Sequence, residues 1–162
     1  MKLKLLTIAL LLFPLTAYTA AWQELSWDDL LPESDLLAMQ QLPAVDHNDP
    51  AFELPDVLKS RNVVTKLAGQ AVRLPGFIVP VESDDDMTIT EFFLVPYFGA
   101  CIHVPPPPPN QIVYVKYPNG LKVENLYDPF WVNGKLSIEN ISNEMAQSSY
   151  SMLAEKVEVY EY

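Results

Sequence analysis

The sequence predicts a mainly β chain: a small OB-like Greek-key barrel behind a set of short N-terminal helices. Three observations point there. After residue 69, apolar residues alternate with period two in five separate runs, the pattern of half-buried strands. Pro, Gly, Asn and Asp cluster between or inside those runs, which suits turns and barrel bends. Before residue 69 the pattern is different, with caps, acids and prolines spaced for short helices. Five bent strands with a helical preface fit an OB-type barrel, and a sandwich topology satisfies the same pattern.

The first 21 residues read as an address. Lys2 and Lys4 precede an apolar stretch from Leu5 to Leu15, and small residues fill 16–21. That order is a secretory signal peptide cleaved after Ala20 or Ala21. The stretch is short and broken by Pro14, whereas a membrane span needs about 20 apolar residues. The mature chain is therefore expected to be periplasmic in a Gram-negative cell, with no membrane span.

Residues 22–68 are expected to form a helical arm and connector. Ser26 and Asp29 stand at capping-box spacing, and Pro32 ends that turn. Ser34 can cap a second helix running to Met39, with Pro43 as its stop. Trp22, Trp27, Leu30 and Leu31 would dock the arm. Asp46-His47-Asn48-Asp49-Pro50 is a polar turn. Val57, Val63, Val64 and Leu67 suit one or two helical turns closed by Gly69.

Residues 69–162 carry the barrel. The expected strands are Ala71–Val81, Thr88–Val95, Gln111–Tyr117, Phe130–Ile138 and Ser149–Tyr160. Pro75-Gly76 predicts a bulge or bend in the first of them, and the acids from Glu82 to Asp86 a solvated hairpin tip. Pro118-Asn119-Gly120 reads as a turn, and Asn133-Gly134 either stays in its strand or splits it into a hairpin. Apolar parity switches between Ala154 and Val157, which predicts a bulge in the last strand. A helix over 142–155 competes with that strand.

Charge and cysteine content narrow the function. The chain has 10 Lys and Arg against 21 Asp and Glu, a net charge of −11. Such a balance argues against nucleic acid and anionic lipid as partners. One cysteine excludes an internal disulfide in an exported chain. Cys101 is thus a buried hydrophobe, a metal ligand, a reactive thiol or an intermolecular link.

The chemistry concentrates in Gly99-Ala-Cys-Ile-His-Val-Pro-Pro-Pro-Pro-Pro-Asn-Gln111. On a strand, Cys101 and His103 would share a face, and thiolate with imidazole is a preferred zinc donor pair. His47, or an acid of the Asp84–Asp86 tip, would be a third donor, and Cu⁺ is an alternative ion. Pro105, Pro106, Pro107, Pro108 and Pro109 form a preordered rod spanning roughly 15 Å as polyproline II. With Tyr97, Phe98, Asn110 and Gln111, that rod is a candidate partner-binding surface. A rigid strap over the barrel is the competing use.

The block from Val95 to Val115, including Pro-Tyr-Phe-Gly-Ala-Cys-Ile-His-Val and the five prolines, resembles the signature of a proteobacterial family known as domain of unknown function 3299. Trp27-Asp-Asp-Leu-Leu-Pro32, Gly69-Gln-Ala-Val-Arg-Leu-Pro-Gly-Phe-Ile-Val-Pro80 and Trp131-Val-Asn-Gly134 resemble it too, as does the tail carrying Tyr150, Met152 and Ala154. The resemblance implies an exported protein, often encoded beside an ABC-type transport system associated with zinc. It implies no established activity and assigns no site residue.

Three functions follow as expectations. The first is a periplasmic accessory of a zinc-linked ABC transporter, holding metal through Cys101 and His103 and partnering a transporter component or a periplasmic metal-binding protein. The second is a metal-free assembly module that uses the proline segment. The third, thiol chemistry at Cys101, lacks an orienting third residue and a Cys-x-x-Cys pair, so a non-enzyme is expected.

Overall fold

The computed structural model describes residues 22–42, 53–84, 86, 88–100, 107–123 and 125–161. The expected signal peptide and the Asp46–Pro50 turn lie outside them.

Five long strands close on themselves: β2 (Ala71–Ser83), β3 (Ile89–Val95), β4 (Val113–Leu121), β5 (Phe130–Ser142) and β6 (Gln147–Val159). β2 pairs antiparallel with β3, β3 with β4 and β5 with β6, while β4 runs parallel to β6. Pairing of β2 with β5 shuts the barrel, giving the OB-like Greek key expected from the sequence. A two-residue β1 (Gln23–Glu24) joins β2 in parallel.

The bend at Pro75-Gly76 is where β2 changes partner. Ala71–Gly76 pairs with β5 and Phe77–Ser83 with β3. Gly76 lies so close to β3 that a Cβ there would stand 2.7 Å from the Val95 carbonyl oxygen. Only glycine lets the strand turn against its neighbour at that distance.

Inward side chains make the main core, with Val72, Leu74, Phe92, Leu94, Val113, Val115, Leu136 and Met152 all buried. β3 is buried on both faces, because Phe93 and Val95 point outward into a second cluster with Ala100, Ile112 and Tyr114. The chain leaving β3 and the chain entering β4 thus cover the outside of the barrel at this place.

Several local expectations change. Pro118-Asn119-Gly120 lies inside β4, where the partner of β3 jumps from Lys116 opposite Glu91 to Leu121 opposite Ile89. The predicted turn is absorbed as a bulge, which accommodates a proline and a glycine without ending the strand. Asn133-Gly134 stays within β5, and residues 147–159 form a strand instead of the competing helix. Asn133 opposes Lys156 while Gly134 opposes Ala154, leaving Glu155 as the bulged residue where the apolar parity switches.

In the arm, Trp27–Leu30 is a 3-10 turn and α1 spans Glu33–Gln40. Ser26 donates from its amide and its hydroxyl to Asp29, at 2.8 and 2.7 Å. Pro32, not Ser34, occupies the cap of α1; proline's fixed φ suits a helix start. Two further 3-10 turns, Asp56–Lys59 and Thr65–Leu67, lead to Gly69.

Candidate functional site

Cys101, His103, Pro105, Pro106 and His47, expected to carry metal or partner contacts, lie outside the described residues. So does Asp85 of the acidic tip. Among the described residues no group of three or more His, Cys, Asp or Glu could hold a metal ion.

The described end of the proline segment corrects the surface expected there. Pro107, Pro108, Pro109, Asn110 and Gln111 are all buried. Residues 109–111 form a 3-10 turn whose polar side chains face the protein's own arm. Asn110 Nδ2 donates to Asp35 Oδ2 at 3.0 Å and to the Asn62 carbonyl at 2.9 Å. Gln111 Nε2 donates to the Trp27 carbonyl at 2.7 Å. Having satisfied internal acceptors, these residues fasten the arm to the barrel, as a strap would.

Asp35 is the hub of that clasp. It is 6% exposed and accepts from Ser34 and Asn62 as well as Asn110, with a further bond from the Ser60 hydroxyl. Burial raises its pKa, but four donors to the ionised form outweigh burial and hold it below the ordinary carboxylate value. Tyr150 performs a parallel task from β6. Its hydroxyl donates to the Leu30 carbonyl at 2.8 Å and accepts from the Val64 amide at 2.7 Å. Among the described residues, Asn110 Oδ1 and the hydroxyls of Ser148 and Ser149 are buried with no hydrogen-bond partner.

The exposed features gather elsewhere, at the outer half of β2. Tyr97 and Phe98 are 45% and 46% exposed. They sit on the turn after β3, fixed by an Ala100 amide bond to the Tyr97 carbonyl at 3.3 Å and by left-handed Gly99, φ 77°. Phe98 packs edge-on against Phe77, with centroids 6.2 Å apart, and tilts onto Tyr127 at 4.6 Å. Tyr127 is 69% exposed and Leu126 is exposed beside it. Asn125 shapes their turn by accepting from the Tyr127 amide at 3.1 Å and donating to Asp128 at 3.1 Å.

Between these turns and residues Phe77 to Pro80 lies an apolar cleft of about 270 Å³. A smaller depression of about 190 Å³ adjoins it through Phe77, walled by Trp27, Pro96, Pro129 and Tyr160. The Trp27 indole N–H is committed to the Pro75 carbonyl at 2.7 Å, so its ring is a fixed wall. Leu126, Tyr127 and Phe77 are not among the site residues expected from the sequence. The available signal was two large apolar residues inside an Asn-x-x-Asp-Pro turn, where polar residues are usual.

The described residues thus form a closed barrel with a clasped arm and an open apolar cleft. Comparison with known proteins places it further. The family described as a protein of unknown function, DUF3299, matches residues 27–159, and the chain belongs to that family. The crystal structure of a DUF3299 family protein from Pseudomonas aeruginosa PAO1 is similar to it. Identity is 43%, over 88% of this chain and 98% of that one, with a TM-score of 0.68. No curated protein matches.

Proposed function

We propose that this protein is a non-enzymatic binding module of the cell envelope, docking a partner protein through the aromatic cleft. The carrying observation is the cluster of Phe98, Leu126 and Tyr127, three exposed large side chains lining one apolar cleft, with exposed Tyr97 next to Phe98 in the chain. Exposed apolar clusters on folded domains mark interaction sites, and aromatic side chains anchored in pockets dominate such contacts. The leader-like residues 1–21 support an exported, periplasmic setting. Service to a zinc-linked ABC transport system rests on the family resemblance.

The test is capture from envelope extracts. The wild-type protein should retain a partner that Phe98→Ser and Tyr127→Ser lose, with their unfolding midpoints close to wild type. Retention by both variants would refute the reading.

A second reading, zinc transfer through Cys101 and His103, is favoured by their position. Cys101 follows Gly99 by two residues in the chain, and Gly99 lines the cleft. Thiolate and imidazole from one chain leave coordination positions for that partner. Calorimetric zinc titration should show near-stoichiometric binding that Cys101→Ser and His103→Ala each abolish. Binding that survives both substitutions would end this reading.

A further inference from the structure

From the geometry of β2 we infer that the cleft receives an extended, basic segment of the partner, added as a short strand along the outer half of β2 with one apolar side chain in the cleft. The inference rests on the binding-module reading and names the chemistry of what binds.

The first ground is an open sheet edge. β5 pairs with β2 only as far as Gly76 opposite Phe130. From Phe77 onward β2 has β3 on one side and, among the described residues, no strand on the other. Backbone groups alternate sides along a strand. The Arg73 carbonyl accepts from the Leu25 amide and the Pro75 carbonyl from Trp27, both on the β1 side, while the Gln70 carbonyl accepts from the Leu136 amide on the β5 side. Continued along β2, that alternation turns the N–H and C=O of Ile78, and the C=O of Pro80, toward the open edge. Pro80 fits there, since it has no N–H to give the β3 ladder. An incoming strand finds one donor and two acceptors beside the cleft, the arrangement of strand addition.

The second ground is size. A cleft of about 270 Å³ falls just below the range of roughly 300–1,000 Å³ typical of small-molecule sites. It suits one anchoring side chain.

The third ground is charge, which selects the occupant. Glu82, Asp84 and Asp86 are exposed where this edge runs into the β2–β3 tip, and Asp128 follows Tyr127. Lys122 acts on Asp84 from nearby without reversing the sign. Two copies of the chain, each at −11, would bring acidic tips together, and an anionic membrane would be repelled. A basic segment is attracted, and Pro80, which has no N–H, limits the ladder to the Ile78 groups and its own carbonyl, so anchor and charge must supply much of the affinity.

The probe is a short synthetic peptide alternating valine and lysine about one tryptophan, titrated into the purified protein by calorimetry and followed by amide exchange. Saturable binding is expected, with slowed exchange at the Ile78 amide. Replacing lysine by glutamate should abolish it, and methylation of alternate peptide nitrogens should weaken it without touching any side chain. Tyr127→Ser, at an exposed position, should weaken it about tenfold or more.

Equal binding of the methylated peptide would overturn strand addition, as would preference for a polyproline peptide, for phosphatidylglycerol vesicles or for self-association. If the basic peptide fails to bind while Phe98→Ser still abolishes partner capture, this inference falls and the binding module stands. If capture is also unaffected, both fall.

Discussion

Tyr150→Phe isolates the bond between arm and barrel. The phenyl ring can keep its place in the core, where Tyr150 is fully buried, so packing changes little. What disappears is one hydroxyl serving two partners, the Leu30 carbonyl at 2.8 Å and the Val64 amide at 2.7 Å. A buried group left without a partner costs about 1–3 kcal/mol. Leu30 is fully buried and bears that cost, while Val64 is half-buried and water can relieve it. The expected loss is therefore about 1–3 kcal/mol, a substantial share of the roughly 5–15 kcal/mol that holds a domain folded. Urea unfolding should show a lower midpoint with an unchanged slope, and the Val64 amide should exchange faster while the β3 and β4 core amides track the global loss. A midpoint equal to that of wild type would refute the reasoning, as would a loss of stability that leaves Val64 exchange in step with the core.

The remaining predictions concern the clasp and the corner. Asp35 has a folded-state pKa held below its ordinary value, so its contribution to stability is complete above about pH 4. That contribution is lost as pH falls through the lowered folded-state value. Asp35→Asn should be less stable at neutral pH and lose less on acidification; acid-titration curves parallel to wild type would contradict this. Gly76→Val would drive a side chain into the Val95 carbonyl and Leu94. It should cost about 1–3 kcal/mol, the range for overpacking, or more because the obstacle is backbone, read as a lowered thermal midpoint; an unchanged midpoint would show that the corner can open.

The barrel was legible because its signals are local and redundant. Alternation across residues 71–81 and 88–95 needs no knowledge of partners, and the parity switch after Ala154 located the bulge at Glu155. Pro118-Asn119-Gly120 misled because a turn and a wide bulge draw on the same residue types. Only the jump in pairing from Lys116 to Leu121 across β3 separates them, and pairing is not written in a local window. Asp35 was invisible for a related reason. In sequence it is one acid in the first turn of a short helix, and its partners Ser60, Asn62 and Asn110 come from two distant segments.

The same distinction explains what became of the proline segment. Its composition implies rigidity, and rigidity serves an exposed docking rod and an internal strap equally well. What decides between them is where Asn110 and Gln111 spend their hydrogen bonds, and they spend them on Asp35, Asn62 and Trp27. Tyr97 and Phe98, at the other end of the segment, stay exposed, and Phe98 meets Tyr127. One stretch of chain therefore does two mechanical jobs, clamping the arm at residues 107–111 and presenting aromatic rings at residues 97–98. Loosening the clamp should not by itself reshape the cleft: the Phe98 turn is fixed by Gly99 and Ala100, and the Tyr127 turn by Asn125. Substitutions at Asp35 should accordingly lower stability while partner binding persists wherever the protein remains folded, and substitutions at Phe98 should do the reverse.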